Sequence, residues 1–170
     1  IEARVYAEDP GRGFLPSIGR LTHYIEPAAN KHVRVDSGVQ EGGEISVFYD
    51  PMIAKLCSYG KDRKTAIANM RDALDAYYIR GVSHNIPFLA SVMGKKKFVD
   101  GKLSTNFIAE EYPEGFSDKD LPANDPARLV AVAALVHSAR MHRAAAITGQ
   151  IPGHGRKVPD AWVVVVSEIG

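Results

Sequence analysis

Cysteine is almost missing from this chain: Cys57 is the only one in 170 residues. A lone thiol excludes an internal disulfide and any cysteine-based zinc site, and it fits a reducing compartment. An excess of charge is missing as well. Lys and Arg total 21 against 20 Asp and Glu, a formal net charge of +1, so the balance gives no argument for a nucleic-acid or anionic-membrane partner. No apolar run approaches the ~20 residues of a membrane span, and no signal sequence is visible. What remains is an ordinary globular composition, 45% apolar, long enough for one full domain. The chain opens on Ile1, already in a strand pattern and without an initiating methionine, and we expect it to be part of a longer polypeptide.

Alternation of apolar and polar residues predicts a half-buried strand from Ile1 to Glu8, turned by Asp9-Pro10-Gly11. In the following loop Phe14 and Leu15 are expected to plug into a core. Leu21 to Ile25 reads as a strand. Lys31 to Leu56 reads as two or three antiparallel strands: Val33-Arg34-Val35, a glycine turn at Glu41-Gly42-Gly43-Glu44, an alternating segment ending at Phe48-Tyr49-Asp50, and the run Met52 to Leu56. Asp62 caps a helix whose stripe is Ile67, Met70, Leu74, Tyr77 and Tyr78, with Gly81 as its stop. Asn85 is a second candidate cap, and Thr105 to Glu111 a last helix packing Phe107 and Ile108. The run Lys95-Lys96-Lys97 reads as a solvated helix end.

Residues 113–124 are rich in Pro, Gly, Asp and Ser and read as a linker. Asp125-Pro126 then starts a long alanine-rich helix over Arg128 to Thr148, apolar over most of its circumference and stopped by Gly149. The β-branched run within Asp160 to Glu168 predicts a strand. The architecture is α+β: an antiparallel sheet with helices on one face, then a long helix and a strand of an incomplete second domain.

Arg-Val-Asp-Ser-Gly (34–38) and Tyr-Asp-Pro-Met-Ile-Ala-Lys-Leu (49–56), preceded by Ala-Glu-Asp-Pro (7–10) and Phe-Leu-Pro-Ser-Ile-Gly-Arg-Leu (14–21), occur in this order. Residues 1–112 thereby resemble the C-terminal lobe of biotin carboxylase, an ATP-grasp enzyme and the first half of the biotin-dependent carboxylases. Residues 125–170 resemble the start of the small domain, a helix with a barrel of strands, that docks the α subunit of an acyl-CoA carboxylase onto its carboxyltransferase partner.

The resemblance implies ATP-dependent carboxylation of biotin by bicarbonate, with Arg34 beside bicarbonate and the ureido ring, stabilising the enolate-like anion as biotin loses its proton. A fixed cation does this better than mobile solvent, and arginine's planar fork suits two oxygens. Read without the motif, Arg34 is a surface strand arginine paired with a carboxylate such as Asp36. Biotin, ATP and Mg2+ are the implied cofactors, with the ATP and Mg2+ ligands upstream and the biotinylated lysine beyond Gly170. The implied partners are a carboxyltransferase β subunit, a biotin carrier domain and further α subunits, in a bacterial cytoplasm or mitochondrial matrix. Propionyl-CoA is the expected acceptor; acetyl-CoA, methylcrotonyl-CoA and pyruvate are the alternatives, and a non-catalytic docking or oligomerisation scaffold is the contrary reading.

Other residues point to blander roles. Asp50 and Lys55 could form an acid and base pair, but Asp50 is expected to be a buried structural carboxylate. Glu8 and Asp9 read as turn formers. The segment from Phe14 to Gly19 has one glycine and no helix behind it, so it is no phosphate loop. Gly149 to Gly155 lacks the strand, loop and helix order of a dinucleotide cradle. The six histidines show no metal spacing.

Overall fold

The computed structural model describes residues 1–121, 126–149, 151, 153, 155 and 157–165. Its elements are β1 (Glu2–Tyr6), β2 (Glu8–Asp9), β3 (Leu15–Pro16), β4 (Gly19–Arg20), β5 (His23–Ile25), β6 (Val33–Ser37), β7 (Glu44–Ile45) and β8 (Met52–Ser58), then α1 (Arg63–Ala76), β9 (Tyr78–Arg80), α2 (Ile86–Gly94), α3 (Lys96–Val99), α4 (Phe107–Glu111) and α5 (Pro126–Ala145). The chain divides into two compact units, Ile1–Pro122 and Ala123–Gly170. The expected Asp125 cap lies outside the described residues.

The first unit is α+β. Its main sheet is antiparallel, in the order β1-β8-β6. β8 is central; Ala54, Leu56 and Ser58 alternate into the core, and Ile53 is buried as well, at the irregularity where pairing with β1 steps from Val5↔Ala54 to Tyr6↔Met52. Alternation sends Ala3 and Val5 of β1, Leu56 and Ala54 of β8, and Val33 and Val35 of β6 to one face. Helix α1 covers that face with Ile67, Met70, Ala73 and Leu74. As the sequence predicts, Asp62 caps α1, accepting from the Thr65 N–H at 2.7 Å. That bond holds the carboxyl below the usual range.

Several local expectations need correction, each because a tertiary contact outweighs a local signal. Helix α1 ends at Ala76, where the Tyr77 N–H bonds the Leu74 carbonyl. Tyr78 leaves the stripe for β9 and is exposed. Gly81, at φ 105°, is needed further on: a side chain there would collide with the Arg20 carbonyl. Asn85 does not cap α2; its Oδ1 accepts from the Tyr6 N–H at 2.9 Å and its Nδ2 donates to the Arg4 carbonyl at 3.1 Å, clasping the free edge of β1. Leu15 and Ile108 are about half exposed, while Phe14 packs edge-on against Phe88 and Phe107 is buried. The segment expected to alternate up to Asp50 pairs only at Glu44 and Ile45, with β4, so Phe48 and Tyr49 are exposed.

The lysine run is paired rather than merely solvated. Lys96 meets Asp100 at 2.8 Å, Lys97 meets Glu110 at 2.9 Å, and Lys95 sits 4.4 Å above the Tyr112 ring. Beyond Tyr112, Phe116 packs on Phe88 and the Asp120 carbonyl accepts from the Ser91 hydroxyl at 2.7 Å. The chain therefore stays on the first unit as far as these contacts reach.

In the second unit α5 exposes Leu129, Val132, Leu135 and Val136. Among the described residues, then, the broad apolar circumference read from the sequence is not covered by protein at these positions. His137 and Trp162 meet edge to face at 4.7 Å. The sequence predicts a strand within residues 160–168; residues 161–165 carry no ladder pairing among the described residues, and residues 166–168 fall outside the description.

Candidate functional site

The outer face of the same sheet is polar. On β6 the alternation Val-Arg-Val-Asp-Ser turns Arg34 and Asp36 away from α1. In register, Arg34 lies opposite Cys57 and Asp36 opposite Lys55 on β8, while Glu2 and Arg4 of β1 lie opposite the same two residues. Two cross-strand rows result, Glu2-Cys57-Arg34 and Arg4-Lys55-Asp36. Such rows place side chains within contact range.

The Arg34 guanidinium is held on one side. Its Nε donates to Asp36 Oδ2 at 3.2 Å, its Nη2 lies 3.1 Å from the same oxygen, and Nη2 also donates to Cys57 Sγ at 3.7 Å. No protein partner meets Nη1 among the described residues. The Asp36 contact raises the already high pKa of Arg34, so its charge is permanent. The side chain is 70% exposed. The arrangement presents a fixed cation, steadied along one edge and open along the other, to an anionic or carbonyl oxygen.

The remaining candidates are not brought into this group. Lys55 shares the face and, among the described residues, forms no ion pair. Asp50 caps locally, accepting from the Met52 N–H at 3.0 Å, but it is exposed, which corrects the expectation that it is buried. Its charge adds to burial in raising the pKa of Glu8. Among the described residues no three His, Cys, Asp or Glu side chains are placed to hold a metal ion. What the sequence reading missed is Cys57 as a contact of Arg34; the strand register carries that information, and sequence alternation alone does not.

This lobe and its motifs define a class. The model for the biotin carboxylase C-terminal domain matches residues 2–110, and the chain belongs to that family. A second model, the propionyl-coenzyme A carboxylase BT domain, matches residues 129–169. Among relatives, the propionyl-CoA carboxylase alpha chain of Ruegeria pomeroyi is 48% identical over 98% of this chain and 27% of its own length. The mitochondrial propionyl-CoA carboxylase alpha chain of Homo sapiens is 50% identical over 85% of this chain and 20% of its own. Among solved structures, the biotin carboxylase domain of a thermophilic 2-oxoglutarate carboxylase bound to bicarbonate matches with a TM-score of 0.62 and 42% identity, covering 66% of this chain and 25% of that one. The chain thus spans about a quarter or less of the length of these relatives.

Proposed function

We propose that the chain is a segment of the α subunit of an acyl-CoA carboxylase, most like that for propionyl-CoA, and that residues 1–112 contribute Arg34 to the site where biotin is carboxylated by bicarbonate with ATP hydrolysis. The observation that carries this reading is the open Nη1 edge of a permanently charged guanidinium, on a strand paired along its whole length, inside a family-matched lobe. A charge fixed in advance on a rigid strand needs no reorganisation when negative charge develops beside it. The solved relative whose description names bound bicarbonate is in keeping with an anion in such a site.

Biotin, when bound, supplies the ureido nitrogen that takes up the carboxyl group. Arg34 fits that group and bicarbonate, both of which present oxygen acceptors to an N–H edge. Among the described residues no three His, Cys, Asp or Glu side chains are placed to hold a metal ion, and the ligands of ATP and Mg2+ are proposed to come from elsewhere in the subunit. A related biotin carboxylase domain is described in complex with MgADP and bicarbonate. The isolated 170 residues are therefore expected not to hydrolyse ATP; bicarbonate-dependent, biotin-stimulated turnover by them would contradict this.

The tail, residues 125–170, is proposed to dock the α subunit onto a carboxyltransferase β subunit, where the carboxyl group passes to propionyl-CoA; of the segment 113–124 read as a linker, Phe116 and Asp120 pack on the first unit. The exposed Leu129, Val132, Leu135 and Val136 of α5 suit an apolar partner surface. Deleting residues 125–170 from the full subunit should preserve carboxylation of free biotin and weaken β-subunit association; association that survives the deletion rejects the docking role.

A second reading, a scaffold without chemistry of its own, is favoured by the 70% exposure of Arg34 and its pairing with Asp36. Arg34→Ala in the full subunit separates the two. The enzyme reading predicts a loss of about a hundred- to a thousandfold in kcat for free biotin, with ATP binding kept. Unchanged turnover favours the scaffold.

A further inference from the structure

Arg34 is bound along one edge only, and the residue that binds it is two positions away on the same strand. Asp36 Oδ2 accepts both the Nε and the Nη2 contacts, at 3.2 and 3.1 Å. Because β6 pairs with the central strand from Val33↔Ser58 to Ser37↔Ala54, the spacing between residues 34 and 36 is set by the sheet and not by the two side chains. Lys55 lies directly opposite Asp36, yet among the described residues the carboxylate's ion pair is with Arg34. Both contacts fall on the Nε and Nη2 side of the guanidinium plane. That leaves Nη1 as the edge presented outward.

We propose that Asp36 is a positioning residue for the carboxylation step: it holds the Arg34 plane by one edge so that the opposite edge faces the substrate oxygens. The inference rests on the reading of Arg34 as the residue that meets substrate. An exposed ion pair of this kind contributes little to stability, so its consequence lies in orientation. An arginine free to rotate keeps its charge but spends less time with Nη1 aimed at the site, and misplacement on the scale of an ångström lowers rate steeply. Asp36 is not expected to touch substrate itself. A carboxylate directed at an anion would oppose its binding, whereas one turned to the far edge of the guanidinium does not.

The test uses the full-length subunit with free biotin, bicarbonate and ATP. Asp36→Ala should lower kcat between about ten- and a hundredfold, with the KM for ATP and the melting temperature unchanged. Asp36→Asn, whose amide oxygen still accepts from Nε, should stay close to wild type. In the Arg34→Ala background, adding Asp36→Ala should cause no further loss, since a positioning residue has nothing left to position. Three results overturn the proposal: Asp36→Ala within about twofold of wild type, Asp36→Asn as slow as Asp36→Ala, or a double variant slower than Arg34→Ala by the full factor seen in the wild-type background. If Arg34→Ala itself keeps wild-type turnover, the reading of the site fails along with the proposal. If Arg34→Ala is inactive and Asp36→Ala is not, only the positioning role fails.

Discussion

The two faces of one sheet do different work, and they are written in alternate residues of the same strands. Inward, Leu56, Ala54, Val33 and Val5 pack beneath α1 and are almost fully buried. Outward, Arg34, Asp36, Lys55 and Cys57 carry charge or a thiol and stay accessible. A strand period of two lets neighbouring residues belong to different problems. Substitutions one position apart should therefore separate folding from chemistry.

The largest effect on stability is expected at the inner face. Leu56, on the central strand, has no exposed surface, and Leu56→Ala should cost about 2–5 kcal/mol through lost burial and the cavity left behind. Its neighbour Cys57 faces outward, and Cys57→Ala should change stability by less than about 0.5 kcal/mol. Urea unfolding of the two variants side by side checks the contrast; equal losses would break it. Next comes the edge of the sheet. Asn85→Ala leaves the Tyr6 N–H and Arg4 carbonyl without their partner and should cost about 1–3 kcal/mol. An Asn85→Asp variant, which can still accept from Tyr6 but cannot donate to Arg4, should fall between.

The smallest effect is a pH slope. Burial first, and then the Arg80 charge, push the His84 imidazole below its ordinary 6.5, and among the described residues its buried Nδ1 meets no hydrogen-bond partner. The folded state thus prefers the neutral ring. Stability from this group is complete above about 6.5 and is lost as pH falls through that value toward the lowered folded one. Urea midpoints measured from pH 7.5 to 5 should decline, and His84→Gln should flatten the decline; an unchanged slope would remove His84 as its source.

Much of this comparison could be read from the sequence where the signal is local. The alternation around Arg34 places it opposite Val33 and Val35 in facing, and Asp62 caps α1 as its position ahead of the helical stripe implies. What could not be read depends on partners far along the chain. Asn85 looks like a cap because it precedes a helix, yet its amide is used by β1, some 80 residues away. Tyr78 continues the helical spacing, but pairing with Ile25 draws it into β9. Phe48 and Tyr49 sit in an alternating segment, and only a two-residue ladder with β4 is available to it. The contact between Arg34 and Cys57 is likewise a matter of register between strands that alternation within each strand does not set. The family motifs supplied a role for Arg34 where the residue pattern alone favoured an ordinary surface ion pair.

The account turns on the shape of one side chain as well as its charge. Arg34→Lys keeps the cation and the exposed position but loses the planar fork that Asp36 can hold by one edge while the other remains free. Free-biotin carboxylation by this variant in the full subunit, measured beside its melting temperature, is the direct test. Turnover reduced by about tenfold or more at an unchanged melting temperature is the predicted result; wild-type turnover would contradict the claim that an oriented guanidinium on the outer face carries the chemistry.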